Sequence, residues 1–302
     1  MHRSLLGLGL FAAAIAAQAG AQQSQPPADA PGEEVVVEGV ADRDRQISDF
    51  VGALTPARVG GQLGRFDFAV CPAAVGLSPH HNEAIAVRLR AVAQAAEIPV
   101  AAAGCRPNVL VLVTRNKREL IERMARQYPA YFTEISSDQV RRLARGPGPA
   151  AAWQVEGLRD SDGVEVSRDL LSGHRVLESS LGSSRIRPPS RPHFIAAGVV
   201  VELNALAGLT TTQLADYAAM RAFARTEPQR LAGSAAPTIL SVLEAPMDSE
   251  VPLTLTQWDL SFLRALYSST GYLFANQQRG EIRDRLRQDL DRSASAEAAR
   301  AD

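Results

Sequence analysis

The hydrophobic pattern of the chain is most distinctive between residues 194 and 226. An apolar, partly β-branched run from Phe194 to Leu203 predicts a strand that is covered on both faces. The segment from Leu214 to Thr226 then places apolar side chains around most of a helical wheel, which is typical of a helix inside a core. Thr210 and Gln213 have capping-box spacing and predict where this helix begins. We expect this strand and helix to form the centre of the fold.

The first half of the chain shows alternating strand and helix patterns. Ser78 followed by Pro79 is a typical helix start, and Asn116 with Glu119 has capping-box spacing. A helix at Ile47–Leu54 is predicted to start near Ser48. The other predicted helices are Ser78–Glu97, Asn116–Tyr128 and Ser137–Arg145, and the predicted strands are Phe66–Val70, Asn108–Thr114 and Ala150–Glu156, the last of which carries Trp153.

The second half of the chain is predicted to be mainly helical after one hairpin and one long loop. The turn sequence Asp160 to Gly163 predicts a hairpin with the run Val164 to Val166. Residues 173–191 are rich in Ser, Gly, Pro and Arg and predict a long, mobile loop. The final residues, SASAEAARAD, lack an apolar face and predict a disordered tail at 293–302. The predicted helices of this half are Pro237–Leu243, Thr256–Ser268 and Asn276–Arg292, besides the central one.

These patterns predict the fold class and the limits of the folded part. We expect an α+β fold, with a mixed sheet and flanking helices, a buried central helix at about 210–226 and a helical C-terminal part. The globular domain is predicted at 45–292. The Gly-Pro-Gly-Pro breaker at 146–149 leaves a subdivision at that point as an alternative.

The first 21 residues have the three parts of a signal peptide. Arg3 supplies the positive charge, Leu5 to Ala16 the apolar segment, and Ala17-Gln18-Ala19 or Ala19-Gly20-Ala21 the cleavage site. No cysteine stands directly after the cleavage site to carry a lipid anchor. No later run approaches the roughly 20 apolar residues of a membrane span. We therefore expect export to the periplasm, without a transmembrane segment in the mature chain.

The segment behind the signal peptide is polar and rich in proline. Residues 22–44 are predicted to be a disordered leader. Within them Glu33 to Gly39, EEVVVEG, resembles the N-terminal segment of TonB-dependent receptors. This segment is interpreted as an edge strand or an ordered end of the leader, and the alternative is a peptide that docks to another protein.

Charge and cysteine content restrict the function classes. The 32 basic residues are balanced by 33 acidic ones and include a single lysine, Lys117, so no basic face for nucleic acid is predicted.

Cys71 and Cys105 are the only cysteines. In an exported chain such a pair most often forms one disulfide. A metal or redox role would be considered only in the cytosol, and the spacing matches no metal motif.

Histidines and known motifs predict neither a metal nor a cofactor. His80, His81 and Glu83 offer two ligands on one side of a helix, whereas catalytic zinc needs three. His174 and His193 fall in or beside the predicted loop. Where zinc peptidases carry H-E-x-x-H, the central helix reads LADYA over residues 214–218. A zincin-like fold would therefore lack its metal.

Nucleophile and phosphate-loop motifs are also absent from the sequence. Gly182-Ser183-Ser184 falls in the predicted loop without an obvious base. The glycine-rich run Gly60-Gly61-Gln62-Leu63-Gly64 precedes a predicted strand, whereas a phosphate loop precedes a helix. Asp259 follows Thr256 at capping spacing and is interpreted as part of a helix start. The alternating Arg and acidic residues of the last helix predict a solvated face.

Asp216 is the single acid on the otherwise apolar central helix, and two interpretations of it remain open. On a buried face its carboxylate must be paired or hydrogen-bonded, which predicts a structural role. Alternatively Asp216, Tyr217 and Arg221 line a ligand cleft. On the wheel, Arg221 and Arg225 form the charged stripe of this helix.

Several segments resemble an uncharacterised family of exported proteins from Gram-negative bacteria. The resemblance rests on LTTTQLADYAAMRAFART at 209–226 and VPLTLTQWDLSFLRALY at 251–267, together with Cys71-Pro72 and the segment Cys105 to Thr114. It covers roughly Gln46 to Leu290 and implies export, but it supplies no catalytic residue. The function predicted first is a non-catalytic interaction or accessory protein of the cell envelope, with an unidentified protein partner. The alternative is a hydrolase-type enzyme, or a metal-free zincin-like protein, whose site is assembled from distant residues.

Overall fold

The computed structural model describes residues 32–57, 61–167, 175–177, 187–232, 234–246 and 249–301. Within them it shows the predicted α+β fold, with seven α-helices and one four-stranded mixed sheet. The strands are β1 (Pro72–Val75), β2 (Val109–Thr114), β3 (Ala150–Asp160) and β4 (Ser190–Glu202). The helices are α1 (Gly32–Leu54), α2 (Pro79–Ala95), α3 (Lys117–Gln127), α4 (Ser137–Arg145), α5 (Thr211–Phe223), α6 (Gln257–Ser268) and α7 (Ala275–Ala301). Short 3-10 turns lie at Pro129–Phe132, Leu203–Leu206, Pro228–Leu231 and Ile239–Leu243.

The sheet separates a large core from a small one. Its strand order is β1-β2-β4-β3, in which β1, β2 and β4 are parallel and β3 is antiparallel to β4. Because side chains alternate along a strand, Val111 and Val199 face the large core with α2, α5, α6 and α7, whereas Leu112 and Val200 face the small core with α3 and α4. Strand β4 is thus covered on both faces, as its apolar run predicts.

Helix α5 is the buried central helix expected from the sequence. Every residue from Gln213 to Phe223 is buried. The capping box is formed, because the Gln213 amide donates to Thr210 Oγ1 at 3.1 Å and the Thr210 amide donates to Gln213 Oε1 at 3.0 Å. The helix ends at Phe223 and so excludes Arg225. The predicted charged stripe is therefore wrong.

The cysteine pair forms the predicted disulfide. Cys71 and Cys105 are bonded, with their Cα atoms 6.1 Å apart. The bond joins the residue before β1 to the loop before β2. The predicted strand Phe66–Val70 is wrong, because only Val70 of that segment makes a bridge, to Val100, and the strand starts at Pro72.

The predicted hairpin turn after β3 is confirmed. The Gly163 amide donates to the Asp160 carbonyl at 3.1 Å, and Arg159 forms an antiparallel bridge with Glu165. Residues 173–174 and 178–186 of the predicted loop lie outside the described residues, and its last two residues already belong to β4. Residues 41–302 form one compact unit, so the breaker at 146–149 lies inside that unit.

Both ends of the folded part are more helical than predicted. Helix α1 begins at Gly32 and includes Glu33 to Gly39, so the edge-strand interpretation is wrong, and Ser48 lies within this helix rather than at a start. Residues 22–31 of the predicted leader lie outside the described residues. Helix α7 continues to Ala301 instead of fraying at 293. Alanine has the highest helix propensity, which allows a helix without an apolar face to persist.

The middle of the C-terminal part contains a tighter turn than predicted. The segment predicted as a helix at Pro237–Leu243 forms a 3-10 turn at Ile239–Leu243.

Among the described residues, no helix has both the length and the apolar character that a membrane crossing requires.

Candidate functional site

Asp216 is completely buried and paired with neighbouring groups. The Arg88 guanidinium of α2 donates to both carboxylate oxygens, from Nε to Oδ1 at 2.7 Å and from Nη2 to Oδ2 at 2.9 Å. Thr254 Oγ1 and the Leu255 amide donate to Oδ2, each at 2.7 Å. The carboxylate therefore connects α5 to α2 and to the segment before α6. This geometry favours the structural interpretation of Asp216.

Tyr217 and Arg221 form a second buried pair. Arg221 Nη1 donates to the Tyr217 hydroxyl at 2.8 Å, and burial raises the pKa of Tyr217 while the charge of Arg221 lowers it. The Nε atom of Arg221 has no hydrogen-bond partner in the described part of the chain. The hydrogen bonds of Asp216 described above involve neither residue. The three residues proposed as one ligand site are therefore separated into two groups.

A cleft of about 410 Å³ lies between the 3-10 turns Pro228–Leu231 and Ile239–Leu243. This volume falls within the range of roughly 300–1,000 Å³ that is typical of small-molecule sites. We call it the 228–245 cleft. Six of its lining residues are apolar and five are polar: Pro228, Leu231, Ala232, Ala236, Leu240 and Ala245, and Gln229, Ser234, Thr238, Ser241 and Glu244.

The three hydroxyl groups of the 228–245 cleft bond to the protein itself. Ser234 Oγ accepts from the Ala236 amide at 3.3 Å, and Ser241 Oγ donates to the Thr238 carbonyl at 2.8 Å. Thr238 Oγ1 donates to Asp259 Oδ1 at 2.6 Å. These hydroxyls shape the turn, and each has a protein partner.

Asp259 holds the turn that forms one wall of the cleft. Its buried carboxylate accepts from the Ile239 amide at 2.8 Å and from the Thr256 amide at 3.0 Å. Burial raises the pKa of Asp259, and these hydrogen bonds lower it. Thr256 and Asp259 also form the capping box of α6, as predicted. One carboxylate thus fixes the helix start and the cleft wall together.

Glu244 is the charged residue that lines the 228–245 cleft. Its side chain remains exposed, and Gln229 Nε2 donates to Oε1 at the long distance of 3.4 Å. Desolvation raises the pKa of Glu244, while the charge of Arg221 lowers it. Acceptor positions of this carboxylate therefore remain accessible from the cleft.

A second polar cluster surrounds His193, which is 1% exposed and lies in β4, beside the predicted loop. Its Nε2 is 3.1 Å from Glu165 Oε2. Asp67 Oδ2 is 2.8 Å from Arg159 Nε and 2.9 Å from Arg191 Nη2. Burial lowers the pKa of His193, against the opposing effects of Asp67 and Glu165. We call these five residues the His193 cluster.

The His193 cluster contains buried atoms that lack a hydrogen bond. In the described part of the chain these atoms are His193 Nδ1, Asp67 Oδ1 and Arg159 Nε. Arg159 Nε lies 2.8 Å from Asp67 Oδ2, but the two groups are not aligned for a hydrogen bond. Sequence reasoning missed the cluster because its members come from separate segments. Only the β-sheet register, which pairs Gly157 with His193, brings Arg159 and His193 to one place.

His80 and His81 are exposed at the start of α2. His81 Nδ1 is 2.7 Å from the hydroxyl of Ser78, the capping residue, so this contact is part of the helix cap. Among the described residues, no three His, Cys, Asp or Glu side chains are grouped as metal ligands. His174 and Gly182-Ser183-Ser184 lie outside those residues.

Comparisons of the chain with models of protein families, with curated proteins and with solved structures found no match.

Proposed function

We propose that the protein is an exported binding protein of the cell envelope, without catalytic activity, and that it binds its ligand in the 228–245 cleft. The observation that carries this proposal is the composition of that cleft. It combines an apolar lining with a carboxylate, that of Glu244, whose acceptor positions are accessible. Binding sites for small molecules typically have this makeup of many apolar groups and few polar ones.

The bonding of the cleft hydroxyls supports binding rather than catalysis. Nucleophilic catalysis needs a hydroxyl or thiol within hydrogen-bond reach of a base. Thr238 donates to Asp259, but the same carboxylate also accepts from two backbone amides and holds the cleft wall. Ser241 donates to a backbone carbonyl. The hydroxyls of the cleft therefore support its shape.

Export is supported by two features of the sequence and one of the structure. The sequence has a signal-peptide pattern at residues 1–21 and resembles a family of exported proteins. The structure contains the disulfide Cys71–Cys105, a bond that persists mainly in oxidising compartments.

Ligand-observed NMR with n-hexanol tests whether the cleft binds apolar groups. Ala232, an exposed lining residue, is replaced by Trp to fill the cleft, and Ala235, exposed but outside the lining, is replaced by Trp as the matched control. We expect saturation transfer to hexanol with the natural protein and with Ala235→Trp, and its loss with Ala232→Trp. No transfer in any protein, or equal transfer in all three, would overturn the cleft as binding site.

Hydrolysis of p-nitrophenyl butyrate tests the absence of catalysis with the same proteins. We expect the rate with protein to equal the rate with buffer. Turnover that is abolished by Ala232→Trp and retained by Ala235→Trp would support the hydrolase alternative instead.

A further inference from the structure

We propose that the ligand of the 228–245 cleft is a small free amphiphile with an apolar body and a protonated amine. This inference rests on the proposed function, because it names the ligand class for the same cleft. Its basis is the placement of one accessible carboxylate, Glu244, on an otherwise mostly apolar wall.

The wall of the cleft favours an apolar body. Ala232 is an exposed lining residue, and Leu231 and Ala245 are partly buried ones, so these three offer apolar surface to a ligand. Leu240 and Ala236 are 0% and 6% exposed and add little to it. Covering such surface with a hydrocarbon is favourable in proportion to the area removed from water. The volume of about 410 Å³ suits a small molecule. A protein partner would instead need a contact area of about 800 Å² on each side.

The polar groups of the cleft favour a donor head group with a positive charge. An ionised carboxylate is an acceptor without a proton to donate. Among the described residues, Glu244 receives one long hydrogen bond, from Gln229 at 3.4 Å. An ammonium group carries three donors and a charge of opposite sign. Charge complementarity therefore selects an amine over an alcohol or an acid.

Arg221 does not reverse this preference. Its charge acts on Glu244, but it is 8% exposed and is not among the lining residues. Its Nη1 already donates to the hydroxyl of Tyr217 at 2.8 Å. An anionic ligand would therefore meet Glu244 in the cleft without reaching this guanidinium.

Titration of the full-length mature chain with three matched probes tests the ligand class. The probes are n-hexylammonium, n-hexanol and hexanoate, which share one apolar body and differ in charge. Glu244→Gln removes the carboxylate of the cleft, and Glu227→Gln is the matched control. Glu227 is exposed, lies outside the lining and contacts Arg230 at 3.8 Å.

The expected order of affinity is hexylammonium, hexanol and then hexanoate. At low ionic strength we expect hexylammonium to bind roughly two- to fivefold more tightly than hexanol, the range that an exposed ion pair supports. Glu244→Gln should abolish this difference without changing the affinity for hexanol, and Glu227→Gln should preserve it. Added salt should reduce it because exposed charges are screened.

The outcomes separate this inference from the proposed function. If hexanol binds and Ala232→Trp blocks its binding, the cleft remains a binding site. If hexylammonium then binds no more tightly than hexanol, or hexanoate binds best, the assignment of an amine ligand is wrong. If none of the probes binds, the proposed function fails. An apolar peptide with a lysine that binds more tightly than hexylammonium, and is displaced by it, would contradict a free small molecule as the ligand.

Discussion

Asp216 illustrates how hydrogen bonds to a buried carboxylate can stabilise a fold. It is 0% exposed and accepts four hydrogen bonds from Arg88, Thr254 and Leu255. A buried charge needs such partners, because without them its desolvation would cost several kcal/mol. The carboxylate thus acts as a junction between α2, α5 and the segment before α6.

Replacing Asp216 with Ala should destabilise the protein by about 2–4 kcal/mol. The Leu255 amide and the Thr254 hydroxyl lose their acceptor, while Arg88 is exposed enough to recover some hydration. Denaturant unfolding measures the loss. Glu83→Ala on the exposed face of α2 is the control and should change stability by less than about 0.5 kcal/mol. A comparably small loss for Asp216→Ala would contradict the structural role.

His193 should make the stability depend on pH in the acidic range. Burial lowers its pKa below the ordinary histidine value of 6.5, so the unfolded chain takes up the proton more readily than the folded one. The contribution of His193 is therefore complete above pH 6.5 and decreases as the pH falls from 6.5 towards the lower folded pKa. Acidification should destabilise the natural protein through this residue.

Unfolding free energies at pH 7.5 and 5.5 test this effect of His193. His193→Gln should show a smaller loss of stability between the two pH values than the natural protein. His81→Gln, which changes an exposed histidine, should keep the natural dependence. If both variants show the same dependence as the natural protein, the protonation of His193 does not control acid stability.

At the level of single elements, the local sequence pattern was sufficient to predict a helix or turn whose formation depends on residues of the same segment. The capping box of Thr210 and Gln213 and the apolar wheel after it specify α5, and the start Ser78-Pro79 specifies α2. The hairpin turn at Asp160 also follows from such a signal, and the fold class follows from the local patterns together. The disulfide follows instead from the presence of two cysteines in a chain with a signal-peptide pattern.

Elements whose state depends on distant partners could not be predicted. Phe66 to Val70 alternates like a strand, but Phe66 packs on Phe194 and Asp67 lies between Arg159 and Arg191. Helix α7 extends beyond Arg292 for a different, local reason, because its alanines favour a helix although this end lacks an apolar face. The His193 cluster and the 228–245 cleft depend on tertiary placement, which no spacing in the sequence reveals.

The disulfide should stabilise the connection between β1 and β2. In the chain-entropy model a closed loop of this length, with a separation of 34 residues, contributes about 3–4 kcal/mol. Replacing both Cys71 and Cys105 with Ser should cost about that amount in denaturant unfolding. As a control, reduction of the natural protein should give a similar loss. No loss from either change would mean that the bond does not constrain the unfolded chain.

At the scale of the whole molecule, the proposed export predicts a processed and oxidised chain. Mass spectrometry of protein from the periplasm should find the N-terminus at Gly20 or Gln22. The mass should be two hydrogens below that of the reduced chain, because Cys71 and Cys105 are bonded. An unprocessed N-terminus would contradict export, and two free thiols would contradict a stable disulfide in that compartment.

Three polar regions of the molecule have different roles. Asp216 joins helices, the His193 cluster joins the segment at Asp67 to the β3–β4 side of the sheet, and Glu244 faces a cleft. Only the last combines an accessible carboxylate with apolar lining groups. We therefore propose that ligand binding occurs in the 228–245 cleft rather than at Asp216 or His193.

Amide chemical-shift mapping of the isotope-labelled mature protein with n-hexylammonium shows where the ligand binds. We expect the largest shifts on the lining residues between Pro228 and Ala245, and we expect Ala232→Trp to remove them. Largest shifts around Asp216 or His193, or shifts that persist in Ala232→Trp, would contradict binding in the cleft.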